Sequence, residues 1–222
     1  MNFDEVIDAV YCINLDSRPD RWEKVDSNFS ELGIELIRVP AVDGSTLDLP
    51  EDTKHIWNRD IHHNERSIGC ASSHIRCMEM ALESSGSRFL FIEDDAQPCK
   101  DFLNLFSKAW GEVPENAPFV YLGGSNLEAP AAPISERVSV AVRTKSTVAY
   151  VMTRDFISGI LPMLKENVLF NAIDELYCQL QTHFIENKSA VLILNPRLIY
   201  QYDSFSDIIN SEVTYPYLKD VE

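Results

Sequence analysis

No stretch of this 222-residue chain approaches the ~18 consecutive apolar residues of a membrane span. The longest purely aliphatic run is Ala190-Val191-Leu192-Ile193-Leu194. The opening residues, MNFDEVIDAV, carry no basic stretch followed by an apolar block, so no secretory leader is expected. Basic charge is scarce. The chain has 19 Lys and Arg against 35 Asp and Glu, a net charge of −16, with no run of four basic residues. That balance excludes nucleic acid as a partner, because phosphate backbones need a basic surface. An anionic ligand must instead be held locally, by a few placed Arg and Lys residues or by a metal. Cys12, Cys70, Cys77, Cys99 and Cys178 are odd in number and never form a C-x-x-C pair. They read as reduced structural cysteines of a cytosolic protein, and the sequons at Asn28 and Asn187 read as chance. Internal repeats and low-complexity segments are missing too.

What is present is ordinary globular composition, 45 % apolar and 24 % charged, at a length suited to one domain. The expected unit is residues 1–222, with a core over about 9–208 and a polar tail over 209–222. Strand-like and helix-like stretches alternate. Residues 10–15 form a short β-rich run, followed by a helix start at Ser17-Arg18-Pro19-Asp20. Trp22, Val25, Phe29 and Leu32 recur at helical spacing, and Gly33 ends the helix. A second strand is expected over 34–39 and a polar, irregular stretch over 41–66, with a cluster at His55, Trp57, His62 and His63. Ile68, Ala71, Ile75, Met78 and Leu82 mark a second amphipathic helix. Phe89-Leu90-Phe91-Ile92 is apolar on both faces, as a central covered strand is. A helix over 101–110 and a strand over 119–122 come next, then a loop over 126–135. Strands over 138–142 and 148–152 flank a turn carrying Arg143 and Lys145; helices near 154–165 and 173–184 and a strand over 190–194 complete the chain. This alternation predicts an α/β sandwich with a mainly parallel sheet, made mixed by the late β-β unit. Ligands of such sheets sit at the carboxyl ends of the strands.

Three segments carry candidate chemistry. Glu93-Asp94-Asp95 places three carboxylates directly after the doubly buried strand, with no cation between them. Either a divalent metal relieves that repulsion, with oxygen ligands selecting Mg²⁺, Mn²⁺ or Ca²⁺, or the triplet is a solvated acidic turn. Asn14 closes the first strand, and Arg18 and Arg21 lie on the following helix start. They suit a phosphate; helix capping and ordinary surface pairing with Asp are the competing use. Ile68-Gly69-Cys70-Ala71-Ser72-Ser73-His74 offers Ser, Cys and His, but no G-x-S-x-G elbow. Small residues there suit close packing of the helix on the sheet, with His74 as a buried hydrogen-bonding or supporting residue.

Taken together, the segments resemble glycosyltransferase family 25, which includes bacterial lipooligosaccharide and collagen β-galactosyltransferases. The matching pieces occur in the family's order: I-N-L-D-x-R-x-x-R-W at 13–22, R-V-P-A-V-D-G at 38–44, I-G-C-x-x-S-H at 68–74 and F-I-E-D-D-A at 91–96. They continue with A-Y-V at 149–151, I-D at 173–174 and Q-x-x-x-x-S-D-I at 201–208. The resemblance implies a GT-A-like, Rossmann-like nucleotide-sugar fold and inverting transfer of a hexose, typically galactose, from a UDP-sugar to a hydroxyl of a glycan or protein. It also implies Mn²⁺ or Mg²⁺ held by Asp95 with Asp94. Glu93 would lie near ribose or uracil, and Asn14, Arg18, Arg21, Asp43 and Asp94 would border the nucleotide. The base that takes the acceptor proton must lie away from the metal, and Asp174 or Glu175 is expected there. Within the resembled family, a bacterial or viral cytoplasmic enzyme of lipopolysaccharide-type glycan synthesis is the expected match, because the signal peptide and second domain of the animal collagen enzymes are not seen in this sequence. A catalytically silent glycan- or nucleotide-binding module of the same fold is the competing reading.

Overall fold

The computed structural model describes residues 2–50, 65–127, 131–186, 191–209 and 211–214. The elements run α1 (Phe3–Val6), β1 (Ala9–Asn14), α2 (Pro19–Ser30), β2 (Leu36–Pro40), a 3₁₀ turn (Gly44–Thr46), α3 (Glu65–Glu83), β3 (Arg88–Glu93) and β4 (Ala96–Pro98). They continue α4 (Phe102–Trp110), β5 (Phe119–Asn126), β6 (Ala131–Pro133), β7 (Val138–Val140), β8 (Thr144–Thr153), α5 (Arg154–Asn167), α6 (Ile173–Glu186), β9 (Leu192–Leu194), β10 (Ile199–Gln201), β11 (Ser204–Ser206) and β12 (Ser211–Val213).

Eight strands form the main sheet in the order β2-β1-β3-β8-β5-β9-β7-β6. The β1–β2, β1–β3 and β5–β9 ladders are parallel, while β8 and β7 run against their neighbours. The α/β class and the mixed, mainly one-directional sheet are therefore as expected, but the reason differs. The segments expected as a β-β unit do not pair with each other. β8 inserts between β3 and β5, and β7 pairs with β9 and β6. Long-range pairing, not the short connection, sets where β8 goes.

Both faces of the sheet are covered, as the alternation in β3 shows. Leu90 and Ile92 point into one core with Val25, Phe29, Phe102 and Phe106. Phe89 and Phe91 point into the other with Met78, Ile157, Leu164 and Tyr177. All four β3 residues are fully buried. At ~1.5–3 kcal/mol per large apolar side chain, this strand anchors the sandwich and fixes the position of the carboxylates at its end.

Local corrections are small and physical. Pro19 is the first helical residue of α2, and Arg18 rather than Ser17 precedes it as the cap. Glu65 and Arg66 already belong to α3 instead of the irregular stretch. β5 runs through Gly123 and Gly124 to Asn126, with register shifts that let the strand bend. A Cβ on Gly123 would lie 2.2 Å from the Ile199 carbonyl oxygen, so β10 passes against bare backbone there. Gly69 packs on the 3₁₀ turn rather than on the sheet, where a Cβ would meet Gly44 N at 2.5 Å. The cluster at His55, Trp57, His62 and His63 lies outside the described residues.

Candidate active site

Ile13 pairs with Glu93 in the β1–β3 ladder, which brings Asn14 alongside Asp94 at the carboxyl end of the sheet. Because β8 is antiparallel to β3, its first residues reach the same end, and Thr147 Oγ1 donates to Glu93 Oε1 at 2.5 Å. β10 pairs with β4 so that Gln201 lies opposite Ala96, the residue after Asp95. Three distant parts of the chain thus converge on one carboxylate triplet.

The three carboxylates have different surroundings. Asp94 is buried and fully engaged: Arg21 donates to its Oδ1 at 2.7 Å and Asn14 Nδ2 to its Oδ2 at 2.8 Å. Burial pushes Asp94 upward, against the pull of the Arg21 charge. Glu93 would also be raised by burial, but its contacts with His74 and the Thr147 hydroxyl hold it below the usual carboxylate range. Asp95 has the least help, since among the described residues its two oxygens share only the Gln201 amide at 3.4 and 3.3 Å. Burial, then the negative charges of Glu93 and Asp94, pushes its carboxyl up to about 8.

Two adjoining cavities open at this strand end. The first, about 290 Å³, is lined by Arg21, Asp43, Arg66, Glu93, Asp94 and Asp95 among others. The second, about 420 Å³, is lined by Lys145, Thr147, Asp174 and Glu175 among others. Cys70, Glu93, Gln201 and Ile208 line both and form the wall between them.

Most of the expected site residues meet at these cavities. Arg21, Asp43, Glu93, Asp94 and Asp95 line the first, and Asp174 and Glu175 the second. Asp43 is exposed there and accepts from the N–H and hydroxyl of Ser45. Asn14 and Arg18 line neither cavity. Asn14 is a buried hub, donating to Asp94 and to the Arg18 carbonyl and accepting from Arg38 Nε at 2.9 Å. Arg18 pairs with Asp20 and with Asp207 at 2.6 Å. Arg21 also holds the C-terminal segment, donating to Ser204 Oγ and to the Phe205 carbonyl. The two arginines expected at a phosphate therefore tie residues 204–207 to α2. Asp94, expected as a second metal ligand, lines the first cavity and gives one acceptor site of each oxygen to Arg21 and Asn14, while Asp95 has, among the described residues, the longer contacts with the Gln201 amide.

Asp174 lies in the first turn of α6, raised by burial and opposed by the nearby Lys145 charge. Glu175 forms an ion pair with Lys145. Several residues that sequence reasoning did not single out join the site. Arg66 lines the first cavity and donates to the Asp207 carbonyl at 3.0 Å. Lys145 and Thr147 come from the start of β8, where Arg143 and Ser146 adopt positive φ of 47° and 66°. That backbone, held by non-glycine residues, turns Lys145 and Thr147 toward the site. Gln201 appears in a family-like motif, but its position against Asp95 is set only by the β4–β10 pairing.

Among the described residues, no group of three or more His, Cys, Asp and Glu side chains forms a metal cage. Asp95 still fits a single hard-cation ligand, because it is a buried carboxylate whose charge the surrounding protein does not balance. Among the described residues, no helix is long and apolar enough to cross a membrane.

Known proteins share parts of this chain. A Drosophila melanogaster "Glycosyltransferase 25 family member" is 34 % identical over 98 residues, 40 % of this chain and 16 % of that protein. An Aedes aegypti protein with the same description is 29 % identical over 139 residues, 55 % of this chain and 22 % of that one. The chain thus spans less than a quarter of the length of these relatives. A solved glycosyltransferase involved in the glycosylation of the major capsid of PBCV-1 aligns with TM-score 0.37 and 11 % identity, over 72 % of this chain and 64 % of that one. The family model described as "Glycosyltransferase family 25 (LPS biosynthesis protein)" matches residues 7–130. That stretch is more than half of the chain and includes Asn14, Arg21 and the Glu93–Asp95 triplet, so the protein belongs to glycosyltransferase family 25.

Proposed function

We propose that the protein transfers a hexose from a nucleotide-sugar donor to a hydroxyl acceptor with inversion, with UDP-galactose as the first donor to test. The observation that carries this reading is the pair of cavities sharing the Glu93 wall, with the β3 carboxylates on one side and Asp174 on the other. An in-line displacement needs such an arrangement, with the leaving group held on one side and the proton acceptor on the opposite side. The first cavity receives the donor, and Glu93 and Asp43 contact its nucleoside. Arg66 supplies positive charge at the same cavity. Asp95 holds a divalent cation, Mn²⁺ or Mg²⁺, which when bound neutralises charge growing on the departing diphosphate. The second cavity receives the acceptor, a glycan or a protein side chain.

Asp174 takes the proton of the attacking hydroxyl. Burial raises its affinity for that proton, opposed by the nearby Lys145 charge. Glu175 is already neutralised by Lys145 and positions that lysine. The test compares Asp174→Asn with Glu175→Gln, measuring UDP-galactose affinity and transfer. Asp174→Asn is expected to keep donor affinity and lose ~10²–10⁴-fold in transfer, the usual worth of general-base catalysis. Glu175→Gln should keep most of the rate. Transfer surviving in both variants would put the base elsewhere, and failure of the unsubstituted protein to release UDP from any UDP-sugar would leave a binding module.

A further inference from the structure

His74 is fully buried in α3 and takes no direct part in the proposed transfer. Its Nδ1 lies 2.7 Å from the Tyr150 hydroxyl, and the Tyr150 and Tyr177 hydroxyl oxygens lie 3.0 Å apart. The Glu93 carboxylate beside Nε2 can only accept, so the imidazole carries its proton on Nε2; Nδ1 then accepts from Tyr150, whose oxygen accepts from Tyr177. That Nε2 is buried, makes no hydrogen bond and lies 3.5 Å from Glu93 Oε1. A buried N–H without a partner is costly unless it serves something nearby, and the acceptor beside it is the Glu93 carboxylate.

We propose that His74 is the positioning residue for Glu93: Tyr150 and Tyr177 fix the Nε2-protonated tautomer, which orients the Glu93 carboxylate for the nucleoside of the donor. Thr147 and His74 approach the same oxygen, Oε1, from two sides. Among the described residues no protein group hydrogen-bonds Oε2, and the Glu93 side chain keeps 21 % of its surface open. The carboxylate therefore has one oxygen against the wall and one available to the cavities. The order of hydroxyls gives this arrangement a direction. It starts at Tyr177 on α6, the helix that carries Asp174, crosses β8 through Tyr150 and ends at the wall shared by both cavities. The inference rests on the proposed donor role of Glu93.

Two substitutions divide the two ring nitrogens. His74→Asn places an amide oxygen near Nδ1, keeping an acceptor for Tyr150, and has no donor reaching Glu93. His74→Gln places an amide nitrogen near Nε2 and restores that donor. Calorimetric titration with UDP is expected to give ~10-fold weaker binding for His74→Asn, the scale of one hydrogen bond to a charged group. His74→Gln should recover most of it, with the two variants melting at similar temperatures. Tyr150→Phe keeps the ring but releases the tautomer, and UDP binding should weaken severalfold. The ¹⁵N imidazole spectrum of the unsubstituted protein should show Nδ1 bare and Nε2 protonated. A proton on Nδ1, alone or together with one on Nε2, would overturn the inference. So would unsubstituted-level UDP affinity in His74→Asn or Tyr150→Phe when Glu93→Gln binds UDP more weakly. Unchanged affinity in Glu93→Gln itself would instead overturn the donor role of Glu93, and the inference with it.

Discussion

The two ends of the parallel strands treat acidic side chains in opposite ways. At the amino end, Asp8 precedes β1 and accepts three hydrogen bonds, from the N–H and hydroxyl of Ser87 and from the N–H of Arg88. Burial alone would raise it, but these donors carry it below the ordinary carboxylate value. Close by, Arg154 donates to the carbonyls of Ala81, Leu82, Ser84 and Gly86 and closes the end of α3. At the carboxyl end, Asp95 has only the Gln201 amide among the described residues and is pushed up to about 8. One end matches donors to acceptors and is built for stability. The other leaves a carboxylate under-compensated, which is stable only as a compromise with binding. The same sheet supports both because both sets of side chains are anchored by buried strands that cannot shift.

Removing the under-compensated carboxylate gives the largest expected effect. Asp95→Asn should lower transfer by orders of magnitude with Mn²⁺ present, since the proposed cation loses its principal protein ligand. In EDTA the same variant should be more stable than the unsubstituted protein. A carboxyl raised in the folded state is protonated when folded but ionised when unfolded between ~4 and about 8. Stability therefore falls as pH rises through that window, and the amide removes the loss. Melting temperatures at pH 5 and pH 9 in EDTA check this: a gain confined to pH 5, or none at all, would contradict it. Near-normal transfer by Asp95→Asn would end its assignment as the cation ligand.

Breaking a compensated pair inside the same site should act on stability instead. Arg21→Met leaves Asp94 buried without its cation, at a cost of ~3–5 kcal/mol. It also releases Ser204 and Phe205 from α2. Chemical denaturation should show that loss, and a variant as stable as the unsubstituted protein would remove Arg21 from the structural account. The smallest effect belongs to the amino end. Asp8→Asn should cost ~1 kcal/mol at pH 7, because the exposed site keeps its geometry and loses only charge assistance. Here the sign reverses. The carboxyl lies low when folded, so its contribution is complete above ~3.9 and lost as pH falls through the folded value. UDP affinity should not change. If it does, the two ends are coupled.

Legibility also differs between regions. Phe89–Ile92 announces a central strand because four consecutive apolar residues with no alternation suit burial on both faces, and the carboxylates directly after it could be placed at a strand end. Asp174 at a helix start was legible in the same way. The two arginines were legible only in part. Arg18 precedes α2 and pairs with Asp20, the local use weighed against a phosphate, but the partners at Ser204, Phe205 and Asp207 lie 183 to 189 residues away, and no local pattern reports such distances. Lys145 and Thr147 were hidden for a second reason. Positive φ at Arg143 and Ser146 carries no glycine signal, so the turn that aims them at the site reads as an ordinary loop.

The sequence by itself determined the α/β layering, the strand that carries the carboxylates and the family, because periodicity, burial pattern and ordered motifs are properties of short segments. Tertiary structure decided which carboxylate is satisfied and which is not. Asp94 and Asp95 are chemically identical neighbours. Among the described residues, one meets Arg21 and Asn14 while the other meets only Gln201, because strand order brings β1 and α2 to Asp94 and the β10 pairing brings a single amide to Asp95. The charge state of a buried group is set by its partners, and partners far apart in the chain are chosen only when the sheet closes.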